Sequence, residues 1–115
     1  MAHNDIKCLY DVFDGDTDMI KEVSELFVSY VPDTLNELIE AQSINDQTSV
    51  TRILHRVKGS MGYLGFDIDA KLITEYENES KNTEPLKMDL TPLHNRLSSL
   101  VNLIKGEVLT PNHRT

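Results

Sequence analysis

The stretch Thr48-Ser49-Val50-Thr51-Arg52-Ile53-Leu54-His55-Arg56-Val57-Lys58-Gly59-Ser60-Met61-Gly62-Tyr63-Leu64 places apolar residues at 50, 53, 54, 57, 61 and 64. Spacings of three and four are those of one face of an α-helix. At about 100° per residue, with His55 as zero, these side chains fall between roughly 160° and 260°. The stripe is centred nearly opposite His55, so a stripe turned to a core turns His55 to solvent. Asp46 or Thr48 is suited to cap the start of this helix. Gly65 stands where a helix end takes a left-handed residue.

The same period runs outward in both directions. Ile6, Leu9, Tyr10 and Phe13 form a short helical segment that Gly15 stops. Met19, Ile20, Val23, Leu26, Phe27 and Tyr30 form a second stripe, with Asp16 or Thr17 as its cap. Pro32 is expected to interrupt it and to open the next helix, which carries Leu35, Leu38 and Ile39. Beyond Gly65, Asp67 is expected to cap a helix with Ile68, Leu72, Ile73 and Tyr76 on its apolar side. A polar loop spans about residues 82–89. Thr91-Pro92 then reads as a cap and a first-turn proline before Leu93, Leu97, Leu100, Val101, Ile104 and Val108. The best strand candidate, residues 27–31, lies inside a helical stripe. The expected fold is all-α: an antiparallel four-helix bundle with a short additional N-terminal helix, in a single domain over residues 1–115.

Composition narrows the function. The 115 residues carry a net charge of −8, against a nucleic-acid binder, whose phosphate contacts need a basic face. No apolar run approaches the roughly 18 residues of a membrane span. The N-terminus lacks the apolar core of a signal peptide, and Cys8 is the single cysteine. A reducing cytoplasm is the expected location. The charge is uneven: residues 1–50 sum to −9, whereas Arg52, Arg56 and Lys58 form a basic island with no acid across 51–66. Such an island suits a small anion.

The exposed face of the central helix is unusual. Thr51, Arg52, Lys58, Gly59 and Gly62 all lie within about 60° of His55. A glycine inside a helix costs about 1 kcal/mol relative to alanine. Gly59 is too early to end the helix, so a bare surface beside the imidazole is its better explanation. Arg52 and Lys58, one turn to either side, are placed to hold an anionic group on the ring. For Arg56, about a quarter-turn away, a solvated surface role is an equal alternative. Lys58 itself is expected to be solvent-exposed, its loss costing less than about 0.5 kcal/mol. A near-neutral imidazole offers a nucleophilic nitrogen.

His55-Arg56-Val57-Lys58-Gly59-Ser60-Met61-Gly62-Tyr63-Leu64-Gly65 resembles the signature of histidine phosphotransfer (HPt) domains. That pattern is a histidine, an aliphatic two later, Lys-Gly, small residues, then an aliphatic-Gly pair. Leu9 to Tyr30, with Phe13-Asp14-Gly15-Asp16 before a helix, is similar to the family as well. Met61 departs from it, standing where a small residue is usual. The resemblance implies a carrier with no kinase activity and no nucleotide or other cofactor. His55 would accept a phosphoryl group from an aspartyl phosphate of a receiver domain, through the ring nitrogen distal to the backbone. It would pass the group to the aspartate of another receiver. Lys58 would touch the phosphoryl group, and Gly59 and Gly62 would clear space for the receiver. Partners would be receiver domains of response regulators or a hybrid sensor kinase, supplying the acidic pocket and Mg²⁺. The carrier is expected to be a monomer. An HPt-like adaptor that binds a receiver or kinase without being phosphorylated is the alternative.

Other chemistries find little support. His3, His94 and His113 lack the helical partners of a zinc site, and no metal is expected. Gly-Ser-Met-Gly around Ser60 lacks the order of a nucleophile elbow. No phosphate-binding loop ending in Gly-Lys-Ser or Gly-Lys-Thr is present.

Overall fold

The structure, a computed structural model, describes residues 2–109. Five α-helices follow one another: α1 (Ala2–Val12), α2 (Thr17–Ser43), α3 (Gln47–Tyr63), α4 (Asp67–Asn82) and α5 (Thr91–Ile104). A 3-10 turn (Pro85–Lys87) precedes α5, and a π-helical turn (Lys105–Leu109) extends it. No strand occurs among the described residues. The fold is the expected all-α bundle of four main helices with short α1 at its start. The side chain of His3 and the whole of His113 lie outside the described residues.

Short turns make neighbours antiparallel. Asp46 caps α3, its Oδ1 accepting from the Ser49 amide at 3.1 Å. Asp16 does the same for α2 through the Met19 amide. Gly65 takes φ +89° in the turn to α4. Cross-helix pairs confirm the directions. Thr51 reaches Ser80 while His55 reaches Glu77. Asp69 at the start of α4 holds Arg96 of α5 through contacts of 2.6 and 3.2 Å. Val50, Ile53, Leu54, Val57 and Met61, the predicted stripe of α3, are all buried. The unusual Met61 is fully buried.

Several expectations are corrected. Pro32 does not end a helix; α2 runs unbroken through it for 27 residues. Buried Ile20, Val23, Phe27, Val31, Leu35 and Leu38 stay in phase on both sides of the proline. Packing of one continuous stripe outweighs the roughly 3 kcal/mol a mid-helix proline costs. Met19, Leu26 and Ile39 lie about 80–120° off that stripe's centre and are exposed. The caps of α4 and α5 also sit one residue earlier than expected, at Phe66 and Leu90. Neither has a capping side chain, and the Thr91 amide instead donates to Asp89 Oδ1 at 3.0 Å. Val108 falls in the π-helical turn, beyond α5.

A further correction concerns α4. Its inward face is only in part the apolar row expected: Ile73 is buried and Leu72 and Tyr76 pack against the core, but Ile68 is 83% exposed. The buried residues are Asp69, Ile73, Glu77 and Ser80. At positions i, i+4, i+8 and i+11 these make one stripe, mostly polar. Polar groups hidden from water need partners, and each has one. Asp69 takes Arg96. Ser80 Oγ donates to the Glu77 carbonyl at 2.6 Å, so Thr51 must be the donor in its 2.7 Å contact with Ser80. Gln47 Nε2 donates to the Ser80 carbonyl at 2.6 Å. The loop after α4 is fastened by Gln42 Nε2, which donates to the carbonyls of Pro85 and Met88 at 2.8 and 2.7 Å.

Gly65 is required twice over. Its φ is left-handed, and a Cβ there would stand 2.5 Å from Val12 Cγ2 and 3.0 Å from the Cys8 carbonyl oxygen. Gly65→Ala should therefore lose about 2–4 kcal/mol, from backbone strain and overpacking together. Urea unfolding followed by circular dichroism measures this directly; a loss below 1 kcal/mol would show that α1 is not seated against the turn.

Candidate functional site

His55 sits midway along α3, opposite the buried stripe, with its side chain 68% exposed. Its ring is not free to turn. Nδ1 lies 3.0 Å from Glu77 Oε2. Lys58, one turn further along α3, brings Nζ to 2.8 Å from Glu77 Oε1. Glu77 projects from α4 into the seam between the helices, its side chain only 7% exposed. Lys58 Nζ is the partner Oε1 faces, in a contact closer to an ion pair than to a well-aligned hydrogen bond.

These neighbours set the protonation. The Lys58 ammonium, and after it the His55 ring, hold the Glu77 carboxyl below its ordinary value, against the opposing effect of burial. An ionised carboxylate only accepts, so Nδ1 must carry the proton and donate. The lone pair is left on Nε2, the nitrogen distal to the backbone. The site thus offers a fixed, exposed nucleophilic nitrogen backed by a buried anion.

The remaining candidates are placed as follows. Gly59 and Gly62 are exposed, and a Cβ on either would meet nothing within 4 Å. Arg52 lies on the exposed side, its Nη2 donating to Ser49 Oγ of its own helix at 3.3 Å. Arg56 turns away toward α2, where Nη2 donates to Glu37 Oε1 at 2.8 Å and Nε to the Tyr30 hydroxyl at 3.2 Å. Its guanidinium also stands over the Tyr30 ring at 5.9 Å. Arg56 is a surface residue, its side chain 44% exposed, paired across to α2. Lys58 departs from expectation. Its side chain is 30% exposed and tied to a buried carboxylate, not loose in solvent.

Glu77 was not among the sequence candidates. The signal for it was present: it follows Ile73 by four residues and precedes Ser80 by three, on the row that faces α3. A carboxylate on a helix is ordinarily taken for a solvated surface residue, and only the opposing His55 and Lys58 reveal otherwise.

A groove of about 1040 Å³ runs beside the site between α2 and α3, lined by Leu26, Phe27, Tyr30, Asp33, Gly59 and Tyr63 among others. Leu26 and Tyr63 are each 65% exposed on its rim. Tyr63 is braced edge-on against Phe13, with ring centroids 5.8 Å apart. Among the described residues no group of three or more His, Cys, Asp or Glu is arranged to hold a metal ion. None of the described helices is long and apolar enough to cross a membrane.

Residues 22–105 match the family model of the Hpt domain. No curated protein and no solved structure gives a significant match to the chain.

The ionised state of Glu77 has a measurable consequence. Its depressed value means it adds stability above about pH 4.3, the ordinary glutamate value, and the gain is lost as pH falls through the lower folded value. Glu77→Gln should be about 1 kcal/mol less stable than wild type at pH 7, with the gap closing toward pH 3. Lys58→Ala should lose about 1–2 kcal/mol, more than an exposed lysine would. Denaturation midpoints at several pH values test both; a gap that does not narrow in acid would mean that Glu77 is not ionised in the fold.

Proposed function

The chain belongs to the Hpt domain family, a family of two-component phosphotransfer carriers whose partners are receiver domains, and on that premise we propose that His55 shuttles a phosphoryl group between receiver aspartates. The observation that carries this reading is the Nδ1–Glu77 contact, which leaves Nε2 as the free nucleophile on an exposed ring. In transfer, the Nε2 lone pair attacks the phosphorus of the aspartyl phosphate in line. The P–O bond to the aspartate breaks, and the carboxylate leaves with the electron pair. The ring keeps its Nδ1 proton and becomes a phosphorylated cation, which the Glu77 carboxylate stabilises. Return of the group to a second aspartate reverses these steps.

Phosphoryl transfer has a loose transition state, so alignment and charge do most of the work. Glu77 supplies the alignment of the ring. Lys58 is the ammonium placed to touch a phosphoryl oxygen, and Arg52 adds positive charge on the same face. The metal and acidic pocket belong to the receiver. Gly59 and Gly62 open the helix face to its approach, and the rim of Leu26 and Tyr63 gives the receiver apolar surface beside the histidine. Arg56, engaged by Glu37 and Tyr30, shapes the groove wall instead of reaching the phosphoryl group.

Incubation with a panel of phosphorylated receivers should give an acid-labile, base-stable adduct that His55→Gln abolishes. Binding without transfer would support the adaptor reading instead. Gly59→Gln should fold with equal or greater stability, because a glutamine replaces a mid-helix glycine in open space. Its transfer rate should nevertheless fall at least tenfold, because the new side chain stands where the receiver docks. Leu26→Asp should act alike. Normal transfer by both variants would place the docking surface elsewhere.

A further inference from the structure

The segment of α4 that carries Glu77 has no apolar anchor of its own. Residues 77–82, the end of the helix, contain no apolar side chain. Buried Ile73 lies one turn before Glu77, and the buried residue after it is Ser80. Ser80 is tied to α3 at two atoms. Thr51 donates to its Oγ at 2.7 Å, and Gln47 Nε2 donates to its carbonyl at 2.6 Å. Ser80 Oγ in turn donates to the Glu77 carbonyl at 2.6 Å. Thr51 precedes His55 by one turn, and Ser80 follows Glu77 by one turn. The pairs Thr51–Ser80 and His55–Glu77 are therefore successive rungs of one antiparallel seam. Resting on the reading of His55 as phosphoacceptor, we propose that Thr51 and Ser80 are positioning residues for phosphotransfer, a hydroxyl pair that holds Glu77 against Nδ1.

The argument is one of leverage. A glutamate carboxylate lies roughly 6 Å from its helix axis, so a roll of about 20° carries it through about 2 Å. Such a movement breaks a 3.0 Å contact between Glu77 Oε2 and Nδ1. Apolar burial resists a roll weakly, because it has no preferred direction. A hydrogen bond resists it, because it weakens steeply away from its axis. The Thr51–Ser80 bond also stands inside the seam, where breaking it leaves a shielded hydroxyl without its partner. The consequence for chemistry runs through the tautomer. With Glu77 in place the proton stays on Nδ1 and the lone pair on Nε2. A ring released from Glu77 exchanges its proton between the two nitrogens and turns about its side-chain bonds, so fewer rings present Nε2 to phosphorus. Thr51 thus acts on the reaction without touching the phosphoryl group, through Ser80 and Glu77.

The test compares Thr51→Val, Thr51→Ser, Ser80→Ala and the variant that combines Thr51→Val with Ser80→Ala. Phosphoramidate is the donor, its P–N bond breaking as the Nε2–P bond forms and ammonia leaves. The ring nitrogen resonances of His55 report the tautomer, and in wild type they should show the proton on Nδ1. Thr51→Val keeps the shape and removes the hydroxyl. It should move the resonances toward a mixture of tautomers and slow labelling roughly three- to tenfold. Thr51→Ser, which keeps the hydroxyl, should restore both. Ser80→Ala should match Thr51→Val, and the combined variant should do little more than either, because both remove the same bond. Ile104→Val opens a cavity in the core of α5 and controls for stability: it should lower the urea midpoint and leave tautomer and rate unchanged. Unmoved resonances and rates in Thr51→Val and Ser80→Ala, or equal changes in Ile104→Val, overturn the positioning role and leave His55 as acceptor. Slow labelling by Thr51→Val that Ser80→Ala does not reproduce overturns it too, since Thr51 would then act on the phosphoryl group directly. A wild-type protein labelled at another residue, or not at all, overturns the acceptor reading and this one with it.

Discussion

A carboxylate closed off from water must be matched by positive charge, and at the α3–α4 seam Glu77 is matched by the residues that form the site. His55 and Lys58 come from one helix and Glu77 from the next. On the proposed reading of His55 as phosphoacceptor, the contact that satisfies the buried anion also chooses the reactive nitrogen, and the imidazole is aligned before a partner arrives. Preorganisation of this kind suits a reaction in which positioning supplies most of the acceleration.

That seam is held in an unusual way. Three of the four buried residues of α4 are polar, and each is fastened to a neighbouring helix or turn of chain. Ser80 links to Thr51 and Gln47 of α3, while Asp69 holds Arg96 of α5. Hydrogen bonds and ion pairs are directional where apolar contacts are not. They fix the rotation of α4 about its axis, and hence the direction in which Glu77 points. Apolar burial from α2, α3 and α5 holds the bundle together, and the polar row sets its register beside the histidine.

The glycines divide along the same line. Gly65 is needed by the fold, since its left-handed backbone and the nearness of Val12 and Cys8 leave no room for a side chain. Gly59 and Gly62 are needed by nothing inside the molecule, because open space surrounds both. Two glycines that cost a helix stability at exposed positions beside its histidine fit the proposed approach of a receiver. The adjoining rim of Leu26 and Tyr63 is apolar where a solvated surface would be polar.

Much of this was legible in residue order. Spacing determined the helices, the buried stripe of α3 and the outward direction of His55, because helical periodicity alone sets which side chains share a face. Gly15 and Gly65 marked turns because few other residues adopt a positive φ. Where α2 ends was not legible at Pro32: a local rule favoured a break, and packing along the whole helix overrode it. Leu26 and Ile39 read as core because intervals of three and four do not by themselves locate the centre of a stripe. Glu77 was hidden for a deeper reason. Sequence states which residues lie on one helix face, but a carboxylate becomes an orienting group only when another helix brings a histidine and a lysine against it. That meeting joins positions 22 apart along the chain, and only the tertiary structure decides it, because charge pairing across a seam depends on distance in space and not on order in the chain.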